Sequence, residues 1–273
     1  MAAVARYFRV LGALARYCFV RELAFRGNFL IKISVEILWL GILLSFYRIV
    51  FTKTSVVAMW SESEYLFFVG CYFTLEGLIE TLFLENCNEF ADLVRSGDLD
   101  LYLLQPIDEQ FLISCRHIEW ATAPNILMGT TVMGLALAQL DWQFNFMQLM
   151  EFLVLFACGT AMAYSFLLLL TSTSIWFMRN QSLYEMWWLF TSLMRYPREI
   201  FGRGWAQPMG LFFTFIVPIL LVVYVPARVM VRAFEPQWAL WIAGSTLLAT
   251  VVLLFISRKY FRFALRRYRS ASS

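Results

Sequence analysis

Glu76 and Glu80 stand one helical turn apart inside an apolar run, and Glu85, Glu89 and Asp92 follow them. Residues at i and i+4 share a helix face, and a carboxylate at bilayer depth is costly unless it faces a cavity or a polar partner. Two readings are open: a cation-attracting or water-lined translocation face, or a pair that hydrogen-bonds to neighbouring helices nearer the surface. Glu36 and Arg48, at the two ends of the preceding apolar run, admit the same two readings, with Arg48 long enough to snorkel. Other chemistry is sparse. His117 is the one histidine, and Cys18, Cys71, Cys87, Cys115 and Cys158 are scattered without a Cys-x-x-Cys. A metal site of the usual His/Cys kinds is therefore not expected; the thiols read as small buried hydrophobes and His117 as a surface or interfacial residue. The chain has no Gly-x-x-x-x-Gly-Lys-Ser/Thr, Gly-x-Gly-x-x-Gly, Gly-x-Ser-x-Gly or His-Glu-x-x-His, so it supplies no nucleotide-binding loop and no catalytic residue of a familiar kind.

The elements that must position these residues are membrane helices. Of 273 residues, 61% are hydrophobic and 15% charged, where soluble domains carry about 25% charged, and the mean hydropathy is +0.67. A net charge of +3 does not point to nucleic acid. A bilayer core about 30 Å thick needs roughly 20 apolar residues of helix. Six segments qualify: Ile33 to Phe51, Tyr65 to Leu84, Thr122 to Leu140, Phe152 to Phe177, Pro208 to Val225 and Trp238 to Ser257. The predicted fold is an all-α polytopic membrane protein of one domain over residues 1–273, set in the plasma (inner) membrane.

Basic residues orient it, because cytoplasmic loops near span ends carry the excess of Lys and Arg. The N-terminal tail holds Arg6, Arg9, Arg16, Arg21, Arg26 and Lys32, and the C-terminal tail holds Arg258, Lys259, Arg262, Arg266, Arg267 and Arg269. Both tails belong in the cytoplasm. Arg95 and Arg116, and then Arg179, Arg195, Arg198 and Arg203, place the second and fourth loops there too; Arg228 and Arg232 disagree mildly by falling outside. Residues 1–32 read as an amphipathic helix on the inner leaflet. The Leu183 to Met194 stretch reads as an interfacial or re-entrant helix, with Trp187-Trp188 at headgroup level, and Gly159-x-x-x-Ala163 with Ser165 offers close helix packing.

The longest internal loop, Asn86 to Ile118, is a polar island with its own short amphipathic element. Ser96-Gly97 caps one helix and Gln105-Pro106 ends the next. Leu99, Leu101, Tyr102, Leu103 and Leu104 give it an apolar face, and Asp98 and Asp100 cap or pair at its edge. A soluble partner could grip such an element.

The phrase from Val94 to Ile107, Val-Arg-Ser-Gly-Asp-Leu-Asp-Leu-Tyr-Leu-Leu-Gln-Pro-Ile, follows a span that ends in acidic residues and resembles the hallmark of type-2 ATP-binding-cassette (ABC) transporter permeases of the short six-span branch. Arg195 to Phe201 and Phe215 to Ala227 resemble the same branch. The resemblance implies six spans, an amphipathic N-terminal helix and a cytoplasmic coupling helix between spans two and three. It implies ATPase coupling through Asp92, Arg95, Gly97, Asp98, Leu99, Asp100, Leu101, Tyr102, Leu103, Leu104, Gln105 and Pro106, with a second contact from the Met178 to Phe201 loop. It also implies two separate ATPase subunits that bind the ATP and Mg, none bound by this chain, a second permease chain, identical or homologous, and export of a lipophilic or amphipathic cargo. The competing class is an ion-coupled secondary transporter using Glu76 and Glu80, although no internal repeat supports it.

Overall fold

A computed structural model describes residues 2–177, 181–202, 204–216, 218–232 and 236–268. Among the described residues the chain is helical apart from turns and an isolated bridge between Val57 and Trp60. Helix α1 (Ala2–Ala24) leads into α2 (Arg26–Lys53). A continuous helix of 35 residues then runs from Glu62 to Ser96, made of α3 (Glu62–Ile79), a π-helical turn (Glu80–Leu84) and α4 (Glu85–Ser96). At 1.5 Å per residue it is roughly 50 Å long, well beyond a 30 Å bilayer core. What reads in sequence as the start of a polar loop, Asn86 to Ser96, is therefore the continuation of the second span's helix.

Short helices α5 (Leu99–Leu103) and α6 (Glu109–Cys115) follow. Next come α7 (Ala123–Gln139), opened by Pro124 in its first turn, and α8 (Phe146–Phe177). Among the described residues four helices are long and apolar enough to cross a membrane: Arg26–Lys53, Glu62–Ser96, Phe146–Phe177 and Trp241–Arg267. The last belongs to α12 (Pro236–Arg267). With 17 residues, α7 spans about 25 Å, just short of that length.

The predicted fifth span is corrected. Residues 207–214, with α10 (Gln207–Leu211) at their start, and α11 (Ile219–Val231) meet at 82° and do not form one straight crossing. Both ends of this bent segment lie at the same end of the bundle. At its start Gly210 abuts the Phe201 carbonyl, and at its finish Gln148 donates to the Val229 and Met230 carbonyls at 3.0 and 2.8 Å. The helix before it, α9 (Gln181–Met194), is packed into the bundle: Phe190 meets Phe166 and Phe213, and Trp187 is buried while Trp188 faces outward. This helix is therefore half-buried, one face in the bundle and the other exposed.

Packing inside the bundle depends on small residues, since lipid tails remove any hydrophobic drive for helices to associate. At Gly129 on α7 a side chain would collide with the Thr74 backbone nitrogen at 2.6 Å and the Gly70 carbonyl at 2.8 Å. Glycine lets α3 and α7 touch backbone to backbone. Gly159 on α8 lies against the Val222 carbonyl of α11, so the small-residue pair read in the sequence is a packing site.

The bundle has two distinct ends. At the far end, Arg232 pairs with Glu64 at 2.6 Å, and Tyr224 donates to Glu199 at 2.7 Å. Trp60 donates to the same carboxylate at 3.3 Å, and Arg228 lies 3.7 Å from it. These contacts account for Arg228 and Arg232, whose charges are matched by acids. They also correct the Arg195 to Phe201 region: Glu199 joins this end and Arg195 lies within the bundle. Arg179, Arg203 and Arg269 lie outside the described residues.

Candidate functional site

The near end gathers the island, the N-terminal helix and the last helix. Gly97, at φ +83°, adopts the left-handed conformation that closes α4 without steric cost. Ser96 donates to Asp98 at 2.8 Å, and Asp98 stands before α5 without capping it through its side chain. Asp108 accepts from Phe111 N–H at 3.2 Å and so caps α6. Its other oxygen takes Arg258 of α12 at 2.8 Å. Arg6 of α1 donates to the Pro106 carbonyl at 2.6 Å, and the Asp108 N–H donates to Tyr7 at 3.2 Å. The island is thus tied to both tails of the chain.

Within α5 the predicted apolar face divides in two. Leu99 is 0% exposed and packs with Phe90, Val94, Ile113, Leu168 and Phe261, with Leu103 lying partly buried against the same cluster. Leu101 is 64% exposed and Leu104 82% exposed, and three residues apart they share a face. The face left for a partner is therefore Leu101 with Leu104, while Leu99 anchors the helix to its own chain. Tyr102 is half-buried: Arg116 donates to its hydroxyl at 3.2 Å, lies over its ring at 5.2 Å and also pairs with Glu89. Asp92 and Arg95 form an exposed pair at 2.5 Å, Asp100 is half-buried, and Gln105 and Pro106 are exposed.

Asn86, which the sequence places only at the start of the polar stretch, is fully buried and holds the elbow that leads into α7. Its side chain donates to the His117 carbonyl at 2.6 Å and accepts the His117 N–H at 2.8 Å. The Thr81 carbonyl, in the π turn, accepts from Glu119 N–H at 2.9 Å. Glu22 of α1 accepts from Trp120 N–H at 2.7 Å. Burial pushes the Glu22 carboxyl above its ordinary range. His117 lies half-buried in contact with Arg21, and burial first, then that guanidinium, hold its imidazole below the ordinary range.

Deeper in the bundle the acidic pair diverges. Glu76 accepts from Tyr72 at 2.6 Å, and Arg195, lying over the Trp39 and Tyr72 rings, donates to the Tyr72 hydroxyl at 3.3 Å. Glu80 begins the π turn and accepts from Asn125 at 3.4 Å. Asn125 also donates to Glu36 at 3.0 Å. Glu36 and Glu80 are thereby gathered by one amide, a link across helices that no sequence spacing could indicate. Arg48 lines a surface cleft with Glu62 and Gln139, away from this group.

The chain is thus a helical protein with several helices able to cross a membrane, whose second span continues into the island at one end. The family comparison agrees: the model for the ABC-2 family transporter protein matches residues 37–272. The chain belongs to that family, whose members are transmembrane components of ABC transporters and not ATPases. Neither a curated protein nor a solved structure matches the chain.

Proposed function

We propose that this chain is the permease subunit of an ATP-driven exporter in the plasma membrane. Two separate ATPase subunits bind ATP and Mg, and a second permease chain, identical or homologous, completes the pore. The observation that carries the reading is the near end: α5 presents Leu101 and Leu104 outward on a platform fixed by Leu99, Arg258, Arg6 and Tyr7. Closure of the ATPase pair pushes this platform, and the rigid helix from Glu62 to Ser96 carries the push into the membrane. Cargo passes between the two permease chains by alternating access.

In this reading α9 with the short 3-10 helix after it (Arg198–Gly202) is the fifth crossing, and residues 207–231 dip in from the far face and return to it. Six crossings then put α1, the island and the end of α12 on the cytoplasmic side. A single cysteine at Ser96, in a cysteine-free background, is expected to resist a membrane-impermeant thiol reagent in intact cells, while one at Gln143 reacts. Labelling at Ser96 from outside overturns the orientation. Copurification of ATPase chains with the tagged protein tests the exporter reading itself.

The ion-coupled alternative has one observation in its favour, the bridging of Glu36 and Glu80 by Asn125. Transport that persists in vesicles without ATP and follows an imposed ion gradient would select it.

A further inference from the structure

A cleft of about 420 Å³ opens at the far end of the bundle between α2 and α3, lined by Arg48, Glu62 and Gln139 together with Leu44, Leu66 and Val69. We propose that this cleft is a lipid site, which seats the head of a zwitterionic glycerophospholipid with its phosphate on Arg48 and its ammonium on Glu62. The inference uses only the membrane class of the chain and stands or falls apart from the exporter reading.

The charges come first. At this end of the bundle Arg232 is paired with Glu64, and Arg228 lies 3.7 Å from Glu199. Arg48 and Glu62 bring opposite charges to one cleft, yet among the described residues neither forms an ion pair, with the other or with any other side chain. Both are exposed, so each is open to a ligand. The forked donors of a guanidinium match the oxygens of a phosphate, and a carboxylate takes the hydrogen bonds of an ammonium.

Depth gives the second argument and selects the occupant. The rings of Tyr47 and Tyr65, 4.8 Å apart, set a common level on the two helices. From that level α2 runs toward the far end, which it reaches at Lys53, and α3 starts there at Glu62 and runs away from it. Arg48 lies one residue outward of Tyr47 and Glu62 three residues outward of Tyr65, so at 1.5 Å per residue Glu62 stands about 3 Å nearer the surface. In a zwitterionic glycerophospholipid the phosphate adjoins the glycerol and the ammonium lies farther out. The cleft offers its cation and its anion in the complementary order. Leu44 and Val69 lie about a turn inward of the tyrosines, where the glycerol passes into its chains, and the tyrosines themselves suit headgroup depth. Gln139, which accepts from Ser63 at 3.1 Å, completes the rim. The volume is at the lower end of small-molecule sites, suited to the head with the chains left in the bilayer.

The test is native mass spectrometry of the purified full chain, titrated in detergent with dioctanoylphosphatidylethanolamine and, separately, with dioctanoylphosphatidylglycerol, which keeps the phosphate and lacks the ammonium. Saturable binding of a single ethanolamine lipid is expected, about tenfold tighter than the glycerol lipid, as one charge-assisted contact implies. Arg48→Gln is expected to weaken both lipids, whereas Glu62→Gln lowers the ethanolamine lipid to the level of the other and so removes the preference. Thermal unfolding shows that the variants are folded, and the preference of the unaltered chain decides where one is not. Glycerophosphoethanolamine, the same head without chains, is expected not to displace the lipid at equal concentration; displacement would mark a site for a soluble phosphate ester and overturn the lipid assignment. No saturable binding, equal affinity for the two lipids, or folded variants that bind as the unaltered chain does would each overturn the proposal.

Discussion

The first and second spans are both apolar enough to cross a membrane, yet 67% of the second span's apolar window is buried inside the chain against 11% of the first's. Glycines explain much of the difference. In α3, Gly70 and Gly77 lie where α7 passes at backbone distance, whereas added side chains at Gly27 and Gly41 of α2 would meet open space. Only Leu40 and Leu43 of α2 are buried. Hydropathy therefore locates a span without saying whether it is framework or surface. The second span is framework, joining the membrane core to the near end, and α2 keeps an exposed apolar face.

The sharpest way to break this contrast is to put bulk on each side of it. Gly129→Leu is expected to abolish folded protein, because overpacking a backbone contact costs about 1–3 kcal/mol or more, while Gly41→Leu leaves folded yield and thermal unfolding nearly unchanged. Equal effects in size-exclusion profiles would remove the distinction. Asn86→Leu comes next. It leaves the buried N–H and C=O of His117 without partners, at about 1–3 kcal/mol each, and protease nicking between Arg116 and Trp120 should rise. Leu99→Ala opens a cavity at the base of α5 and is expected to cost about 2–5 kcal/mol, whereas Leu104→Ala stays within about 0.5 kcal/mol in the same unfolding assay.

The smallest effect concerns pH. His117 is held below its ordinary range in the folded chain, so the unfolded or loosened elbow takes up a proton more readily than the native one. Stability at the elbow is therefore full above the ordinary imidazole pKa of about 6.5 and declines as pH falls below it. Cleavage in α1 by an added protease is expected to accelerate from pH 7.5 to pH 5.5, and His117→Gln should flatten that dependence.

Helix content and the membrane class were legible from composition, because these depend on local sequence alone. The two faces of α5 were not. Leu99 and Leu104 are the same residue type, and only the approach of Phe261 from the last helix and Ile113 from α6 determines which is buried. The fifth apolar run differs from its sequence reading because Pro208 to Val225 is long enough to span, but the chain bends by 82° between residues 214 and 219, which composition does not show. Arg195 and Arg198 count as loop charges in sequence, yet Arg195 is enclosed by Trp39 and Tyr72. Glu76 and Glu80 were identifiable from their spacing; their separate partners, Tyr72 and Asn125, were not, because contacts across helices leave no periodic trace.

The central claim is that α5 divides its labour, with Leu99 holding the helix to the chain and Leu101 with Leu104 holding the ATPase. A few apolar anchors carry most of the energy in a typical protein interface. The direct measurement is copurification of the ATPase with the tagged chain carrying Leu101→Ala/Leu104→Ala, alongside the unaltered protein. The account predicts a folded permease with unchanged thermal unfolding that has lost ATPase, docking being weaker by about 1–3 kcal/mol for each leucine. A doubly substituted permease that still brings down the ATPase in full amount, with cargo-stimulated hydrolysis intact, would contradict it.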